Sequence, residues 1–275
     1  MRSTIFLFSL LCCIASSVYA QESPAAAGLD DVSKQATALE AELGKYKDNA
    51  PEAGEALFKL TELYYQHGRL FGLVRSGHRF VSAHPADARH TAVMLRLMDG
   101  LEALSRNKEF TVIARQFLTR YPSAGECPRV EERLANILEK LGEKEDAAKV
   151  FRDRWRREAN PNGRVFAENS CKLFAQAGNA GIEQQAMLAE EMFDRLPQDD
   201  YTRIVGVESY NQWRRISRWK EANVIGNKLL KSNLLKDAEE KREVLRTMAE
   251  NYGHVGQHSN AVEMLKQVRA IREDQ

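Results

Sequence analysis

Residues 141–151, LGEKEDAAKVF, decide the fold, because a glycine is followed closely by two alanines and a phenylalanine. Upstream of Gly142, apolar residues recur at the spacing of one helical face. They are Val130, Leu134, Ile137, Leu138 and Leu141. Downstream, Ala147, Phe151 and Trp155 lie four residues apart on a second predicted helix. Because glycine ends helices readily, the stretch predicts the elbow between two antiparallel helices, with small residues where they cross.

The same unit recurs along the chain with one period. The prolines at Pro85, Pro122, Pro161 and Pro197 are spaced by 36 to 39 residues. Predicted elbows near Gly68, Asn107, Gly142, Gly178, Ser217 and Gly256 are spaced by 35 to 39. Two landmarks with one period predict an all-α fold, a right-handed α-solenoid of about six helical hairpins. Their expected limits are 52–86, 87–124, 127–161, 162–197, 199–235 and 236–272, and the fifth is the weakest because it lacks both a turn glycine and a closing proline.

The N-terminal residues 1–20 combine one arginine, a short apolar run and small residues before Gln21, the pattern of a secretory signal peptide. The apolar run is too short to cross a bilayer, which takes about 20 residues. Residues 21–28 are expected to form a flexible leader and residues 29–47 an N-terminal capping helix, followed by the repeat domain at 52–272. We therefore expect a soluble exported protein, periplasmic or otherwise extracytoplasmic, with no transmembrane segment.

Composition excludes several classes of function. Removing residues 1–20 lowers the basic residues from 40 to 39, against 39 acidic residues, and this neutral balance argues against nucleic-acid binding. No zinc-protease, serine-hydrolase or nucleotide-binding motif occurs, so neither catalytic residues nor a cofactor is expected. The six histidines lack metal-ligand spacing and are expected to be solvated, so no metal is expected. Cys127 is expected in a loop and Cys171 in the core, too far apart for a disulfide.

The elbow residues resemble those of the tetratricopeptide repeat (TPR) family. Gly142, Ala147 and Phe151 match the family's turn glycine, the alanine that follows it and the aromatic residue. In the sixth hairpin the corresponding residues are Gly256, Ala261 and Leu265, with Tyr252 at an aromatic position of the first helix, and the first hairpin keeps Tyr64, Gly68 and Pro85. The resemblance covers residues 52–272, and it implies a solenoid with a concave binding face formed by the first helix of each hairpin.

A narrower resemblance concerns Tyr121, Pro122 and Ser123, which follow a phenylalanine-rich helix. This ending is similar to the bacterial envelope subtype found in outer-membrane assembly lipoproteins and in the periplasmic Tol-Pal coordinator. The resemblance implies a scaffold for a protein or peptide partner in the cell envelope. Lipidation is not implied, because the residue before Cys12 is the bulky Leu11.

The concave face of the third and fourth hairpins supplies the candidate partner-binding groove. Its residues are Arg129, Glu132, Arg133, Asn136, Lys140, Glu168, Asn169 and Lys172. They mix both signs of charge on one face, which favours a polar peptide over a polyanion. The main hypothesis is therefore a non-catalytic interaction scaffold that binds a peptide segment in this groove.

Two clusters of arginine and tryptophan support an alternative, a receptor for an anionic envelope ligand. The first comprises Arg152, Arg154, Trp155, Arg156 and Arg157, and the second Arg214, Arg215, Arg218 and Lys220 beside Trp213 and Trp219. Charge together with stacking suits a polymer or lipid head group. The same residues are also typical of a solvated helix face with tryptophans in the core. A third hypothesis is a helical arm of an enzyme whose catalytic part lies elsewhere.

Overall fold

The computed structural model describes residues 24–158 and 163–273, and every regular element within these ranges is a helix. The helices are α1 (Pro24–Leu43), α2 (Pro51–Gln66), α3 (Leu70–Ala83), α4 (His90–Ala103), α5 (Asn107–Arg120), α6 (Cys127–Lys140), α7 (Lys144–Glu158), α8 (Arg164–Ala175), α9 (Asn179–Arg195), α10 (Asp200–Arg215), α11 (Trp219–Lys231), α12 (Ala238–His254) and α13 (His258–Glu273). The prediction of an all-α fold is confirmed.

Helices α2 to α13 follow one another as six pairs, each joined by a short elbow, in the order of the six expected hairpins. We call the earlier helix of each pair its first helix and the later one its second helix. The fifth pair, α10 and α11, was expected to be the weakest, yet Trp213 and Leu229 are buried in one cluster that both helices share. The expected signal peptide at residues 1–20 and the closing proline at position 161 lie outside the described residues.

One residue at each elbow has a positive backbone φ. These residues are Gly68, Ser105, Gly142, Gly178, Ser217 and Gly256, with φ between 55° and 82°. At the fourth elbow, the ψ of −163° at Gly178 makes this conformation extended. At the third elbow, the Gly142 N–H donates to the Glu139 carbonyl at 3.0 Å, and the Glu143 N–H donates to the Leu138 carbonyl at 2.9 Å. These are the two hydrogen bonds of a Schellman motif, and the same pair closes α2, α4, α10 and α12. The last carbonyl groups of each of these helices are thereby satisfied where the chain reverses.

Two elbows use serine in place of glycine. The second left-handed residue is Ser105, two positions before the expected Asn107, which instead begins α5. The fifth is Ser217, with φ of 60°. A side chain in this conformation costs about 1–2 kcal/mol, because its Cβ approaches the following carbonyl oxygen. Absence of glycine therefore weakens the fifth elbow without preventing it.

The capping helix α1 begins at Pro24, inside the expected leader, and ends at Leu43, before the expected limit of residue 47. Proline suits the first turn of a helix because its missing N–H has no partner there, and the sequence PAAA continues with strong helix formers. Leu43 is buried in one cluster with Leu57 and Phe80 of the first hairpin. The helix thus covers an apolar face that the first hairpin would otherwise expose.

The apolar stripes predicted from spacing form most of the core. Val130, Leu134, Ile137 and Leu138 of α6 are buried, as are Ala147, Ala148 and Trp155 of α7. Leu141 and Phe151 are half-buried at the edge of this hairpin. Leu265, which corresponds to Phe151 in the sixth hairpin, is 51% exposed on α13, the last helix of the described chain.

The described residues form two compact units that divide within α4, one ending at Leu97 and the other beginning at Met98. The expected repeat domain at 52–272 therefore spans both units. In the second unit, Tyr210, Ile225 and Met248 belong to one buried cluster. All the candidate functional residues lie in this second unit.

The elbow conformation makes a testable difference between two glycines. Gly142→Ala should lower the free energy of unfolding by about 1 kcal/mol through backbone strain alone. A Cβ at Gly142 would meet no atom within 4 Å. Gly125→Ala is the matched control, because Gly125 has the same open surroundings without a left-handed φ.

Ser217→Gly should have the opposite effect and raise the free energy of unfolding by about 0.5 kcal/mol. The relief of backbone strain in the folded state should exceed the conformational entropy that glycine adds to the unfolded chain. Urea unfolding followed by circular dichroism measures all three variants. Equal losses for Gly142→Ala and Gly125→Ala would contradict the assigned elbow.

Candidate functional site

Helix α6 carries five of the predicted groove residues, and four of them are exposed in one row. Cys127 and Pro128 begin this helix, and the helical repeat then places residues 129, 132, 136 and 140 along one side. These exposed residues, which we call the α6 row, are Arg129, Glu132, Asn136 and Lys140. The row carries both signs of charge, as the sequence predicted.

Arg133, the fifth predicted residue on α6, is already bound within the protein. Its guanidinium pairs with Asp99 at 2.9 Å and with Glu102 at 2.6 Å, and its side chain is only 15% exposed. The same group lies 5.1 Å from the ring centroid of Phe110. Arg133 thus ties α6 to the end of α4, and a peptide would contact its guanidinium only by displacing or joining these carboxylates.

The remaining predicted residues lie on α8, where Lys172 is exposed and Asn169 is half-buried. Glu168 accepts a hydrogen bond from Arg164 at 2.8 Å. Burial raises the pKa of Glu168, but hydrogen bonds from Arg164 and Tyr201 outweigh it and leave the pKa below the ordinary value. Arg164 also stacks 3.2 Å from the centroid of the Tyr201 ring. Glu168 thus serves the packing of α8 on α10, and Lys172 remains available.

Most side chains of the first arginine–tryptophan cluster make contacts within the protein. Trp155 is fully buried, and Arg154 lies 3.8 Å from the Phe166 ring centroid. The internal partners of the four arginines are Asp153 for Arg152, Glu158 and the Pro128 carbonyl for Arg154, Glu191 for Arg156 and Glu131 for Arg157. A receptor for anions would require these guanidinium groups to leave their partners.

In the second cluster, some side chains are buried or ion-paired within the protein and others are exposed. Arg214 pairs with Glu250 at 2.9 Å, and Arg218 pairs with Glu183 at 3.3 Å. Trp213 is buried and Trp219 stacks on His254 at 4.5 Å between ring centroids, whereas Arg215 and Lys220 are exposed. The interpretation of these tryptophans as core residues holds for Trp155 and Trp213.

Ion pairs between residues about one repeat apart account for much of the charge in the second unit. They are Arg133–Glu102, Arg115–Asp146, Arg156–Glu191, Arg218–Glu183, Lys228–Asp194, Arg203–Glu240 and Arg214–Glu250, with partners 31 to 37 residues apart. Each pair alone contributes about 0–1 kcal/mol at a surface. Opposite charges separated by one period are a sequence signal that could have found them.

A cavity of about 390 Å³ between α10 and α12 is a feature that reasoning from the sequence missed. It is lined by Arg203, Val207, Tyr210, Asn211, Arg214, Leu235, Asp237, Glu239, Glu240, Glu243, Val244 and Thr247. Within the lining, the Tyr210 hydroxyl lies 2.7 Å from the Thr247 hydroxyl. Burial raises the pKa of Tyr210, which keeps this hydroxyl protonated.

The cysteines and one histidine depart from expectation. Cys127 is buried at the start of α6, with its Sγ 3.0 Å from the Tyr121 carbonyl, while Cys171 is half-buried on α8. Both thiols are free, and burial raises the pKa of each, that of Cys171 to about 12, so neither is a ready nucleophile. His90 is buried rather than solvated, and its Nε2 lies 3.2 Å from the Val81 carbonyl.

Two further features, a metal site and a membrane-spanning helix, are absent from the described residues. Residues 24–158 and 163–273 contain no group of three or more histidine, cysteine, aspartate or glutamate side chains arranged to hold a metal ion. None of the helices in that part of the chain combines the length and apolar character needed to cross a membrane.

Several solved structures resemble this chain at low sequence identity. No family model and no curated protein matches the chain. Similar solved structures include a tetratricopeptide repeat protein from Parabacteroides merdae, at 18% identity and a TM-score of 0.38, over 79% of this chain and 79% of that one. The MamA protein is 11% identical with a TM-score of 0.33, over 82% of this chain and 94% of that one. The apo form of RapI is 10% identical with a TM-score of 0.37, over 90% of this chain and 93% of that one. Likenesses at this level carry no conclusion about partners or activity.

The class of protein is therefore defined by the helices themselves. Repeated pairs of antiparallel helices, each joined by a short elbow at which one residue has a positive φ, make this an all-α helical repeat protein.

The internal role of the first cluster can be tested at Arg154, whose side chain is 13% exposed and lies beside the buried Glu131. Burial raises the pKa of Glu131, although Arg157 and Arg154 oppose that shift. Arg154→Ala removes a compensating charge and uncovers Phe166, so it should destabilise the protein by about 2 kcal/mol.

Arg215→Ala is the control, because it removes an exposed arginine at the end of α10 and should change stability by less than about 0.5 kcal/mol. Chemical denaturation of both variants gives the comparison. Unchanged stability of Arg154→Ala would show that the first cluster is free for another role.

Proposed function

We propose that this protein is a non-catalytic interaction scaffold that binds a peptide segment of a protein partner along the first helices of its second unit. The observation that carries the proposal is the α6 row, in which Arg129, Glu132, Asn136 and Lys140 are exposed along one side of a helix. Lys172 of α8 adds a further exposed charge. Recognition of this kind needs no chemical step and therefore no catalytic residue, cofactor or metal.

The dimensions and charge of the α6 row suit a peptide. From Arg129 to Lys140 a helix rises about 16 Å, the length of about five residues of an extended chain. Alternating charges and an amide can pair with the polar groups of such a segment, whereas a polyanion favours a uniformly basic surface. Repeat proteins of paired helices commonly use extended surfaces for peptides.

We place this binding function in the cell envelope. The support is the export pattern of residues 1–20 and the resemblance of Tyr121, Pro122 and Ser123 to the envelope subtype of the TPR family. The anionic-ligand alternative is weakened because Arg154, Arg156 and Arg214 are paired with carboxylates of this chain. The contacts of the structure likewise give no specific support to a role as the arm of an enzyme.

The test is affinity capture of partners from the organism's own cell envelope by the mature protein, with identification by mass spectrometry. Joint replacement of Arg129, Asn136 and Lys172 by alanine should then weaken binding of the purified partner by about 1–3 kcal/mol, because a few central residues usually dominate an interface. Binding is measured by titration calorimetry, and circular dichroism checks that helicity is retained.

The matched control replaces Lys108, Gln116 and Lys231 by alanine, three exposed residues of the same chemical kinds on second helices. This control should bind the partner with nearly the affinity of the wild type. Equal affinity of the two triple variants would contradict the proposal. Loss of binding only on joint replacement of Arg215 and Lys220 would favour the anionic-ligand alternative.

A further inference from the structure

We propose that the cavity between α10 and α12 selects a lysine or arginine side chain of the bound peptide, together with a neighbouring apolar residue. The inference rests on the peptide-binding function proposed above and adds the chemistry of the peptide. It arises from three features of the cavity, namely its rigid frame, its acidic rim and its apolar walls.

The frame is set by two ion pairs that join α10 to α12. Arg203 pairs with Glu240 at 2.6 Å, and eleven residues further along α10 Arg214 pairs with Glu250 at 2.9 Å. Between these clamps, the hydroxyl of Tyr210 bonds with Thr247 at 2.7 Å. Three bonds between the same two helices fix their separation, so the cavity is preformed and little ordering is needed when a ligand enters.

The rim of the cavity is acidic once these pairs are taken into account. Two arginines and four carboxylates line it, and both arginines are neutralised, by Glu240 inside the lining and by Glu250 beside it. Asp237, Glu239 and Glu243 also line it, and because Glu239 and Glu243 are themselves paired with Arg242 and Arg246 outside the lining, the cavity and its ion-pair partners together carry one more acid than base. An anionic segment would meet like charge here, whereas a cation would be attracted.

The rim glutamates are not firmly held by their own helix. Glu239 pairs with Arg242 and Glu243 with Arg246, each three residues along α12, and both glutamate side chains are mostly exposed. Exposed pairs of this kind are weak, so a cation from a partner can displace or join them. These two carboxylates are therefore the groups expected to contact the incoming charge.

The walls and the volume define the rest of the ligand. Val207 and Val244 face the cavity from the two helices, with Leu235 between them in the chain. A volume of about 390 Å³ lies at the small end of ligand pockets and suits one or two side chains. A lysine or arginine fits this arrangement, because its aliphatic stem packs on apolar walls while its charged head reaches the rim.

The test uses three fluorescein-labelled hexapeptides of the sequence Ser-Leu-Xaa-Leu-Ser-Gly with blocked ends, in which Xaa is lysine, glutamine or glutamate. Fluorescence anisotropy with the mature protein measures each affinity. We expect the lysine peptide to bind about tenfold more tightly than the glutamate peptide, a difference of about 1.4 kcal/mol. The glutamine peptide should fall between them.

The double variant Glu239→Gln/Glu243→Gln should abolish this preference and leave affinity for the glutamine peptide unchanged. The matched control is Glu139→Gln/Glu143→Gln, which removes two exposed carboxylates four residues apart near the third elbow and should keep the preference. Circular dichroism of both variants confirms that they fold. A preference that survives in the cavity variant, or that favours glutamate in the wild type, would overturn the inference.

Failure of the cavity's charge selectivity can be distinguished from failure of the proposed peptide-binding function. Peptides that bind without regard to charge, through residues of the α6 row, would overturn the selectivity of the cavity and leave the peptide-binding function standing. If no peptide binds and the captured partner also ignores replacement of Arg129, Asn136 and Lys172, then both the function and the inference are contradicted.

Discussion

A positive backbone φ at one residue of each elbow lets the chain reverse between the paired helices. At Gly142 and at four further elbows, it lets two backbone hydrogen bonds close the first helix and turns the chain back within two or three residues. Only then do the apolar stripes of both helices face each other. Neighbouring hairpins also pack closely, because a Cβ at Gly206 of α10 would lie 2.5 Å from the Phe193 ring of α9.

The close packing of hairpins explains how a highly charged chain is used. Charged residues make up 29% of the sequence, and in the second unit many of them join helices one repeat apart. Each bond is weak alone, but a repeat protein is stabilised by the sum of contacts between neighbours. The arginines that suggest a basic ligand surface are thereby bound within the protein, while the α6 row stays exposed.

Periodicity alone predicted the helices, the six pairs and five of the six elbow residues, four of them glycines, which mark a positive φ directly, and the fifth Ser217, which the spacing of the elbows located. Ser105 was missed because serine occurs in many conformations and carries no such signal. Helical spacing placed Arg129 and Asn136 correctly on the exposed side of α6. The pairing of Arg133 with Asp99 depends on how two neighbouring helices are rotated about their axes, which a single stripe does not define. The cavity was missed for the same reason, because it depends on how far apart α10 and α12 lie and on which of their side chains face each other.

The proposed function assigns partner contacts to the first helices of the second unit, whereas ion pairs between repeats involve first and second helices alike. Hydrogen–deuterium exchange of the mature protein, with and without a captured partner, tests this assignment most directly. The account predicts that amides in the first helices of the second unit, α6 above all, gain protection on binding, with little change in α7, α9 and α11. Protection confined to α7, α9 and α11 would contradict it.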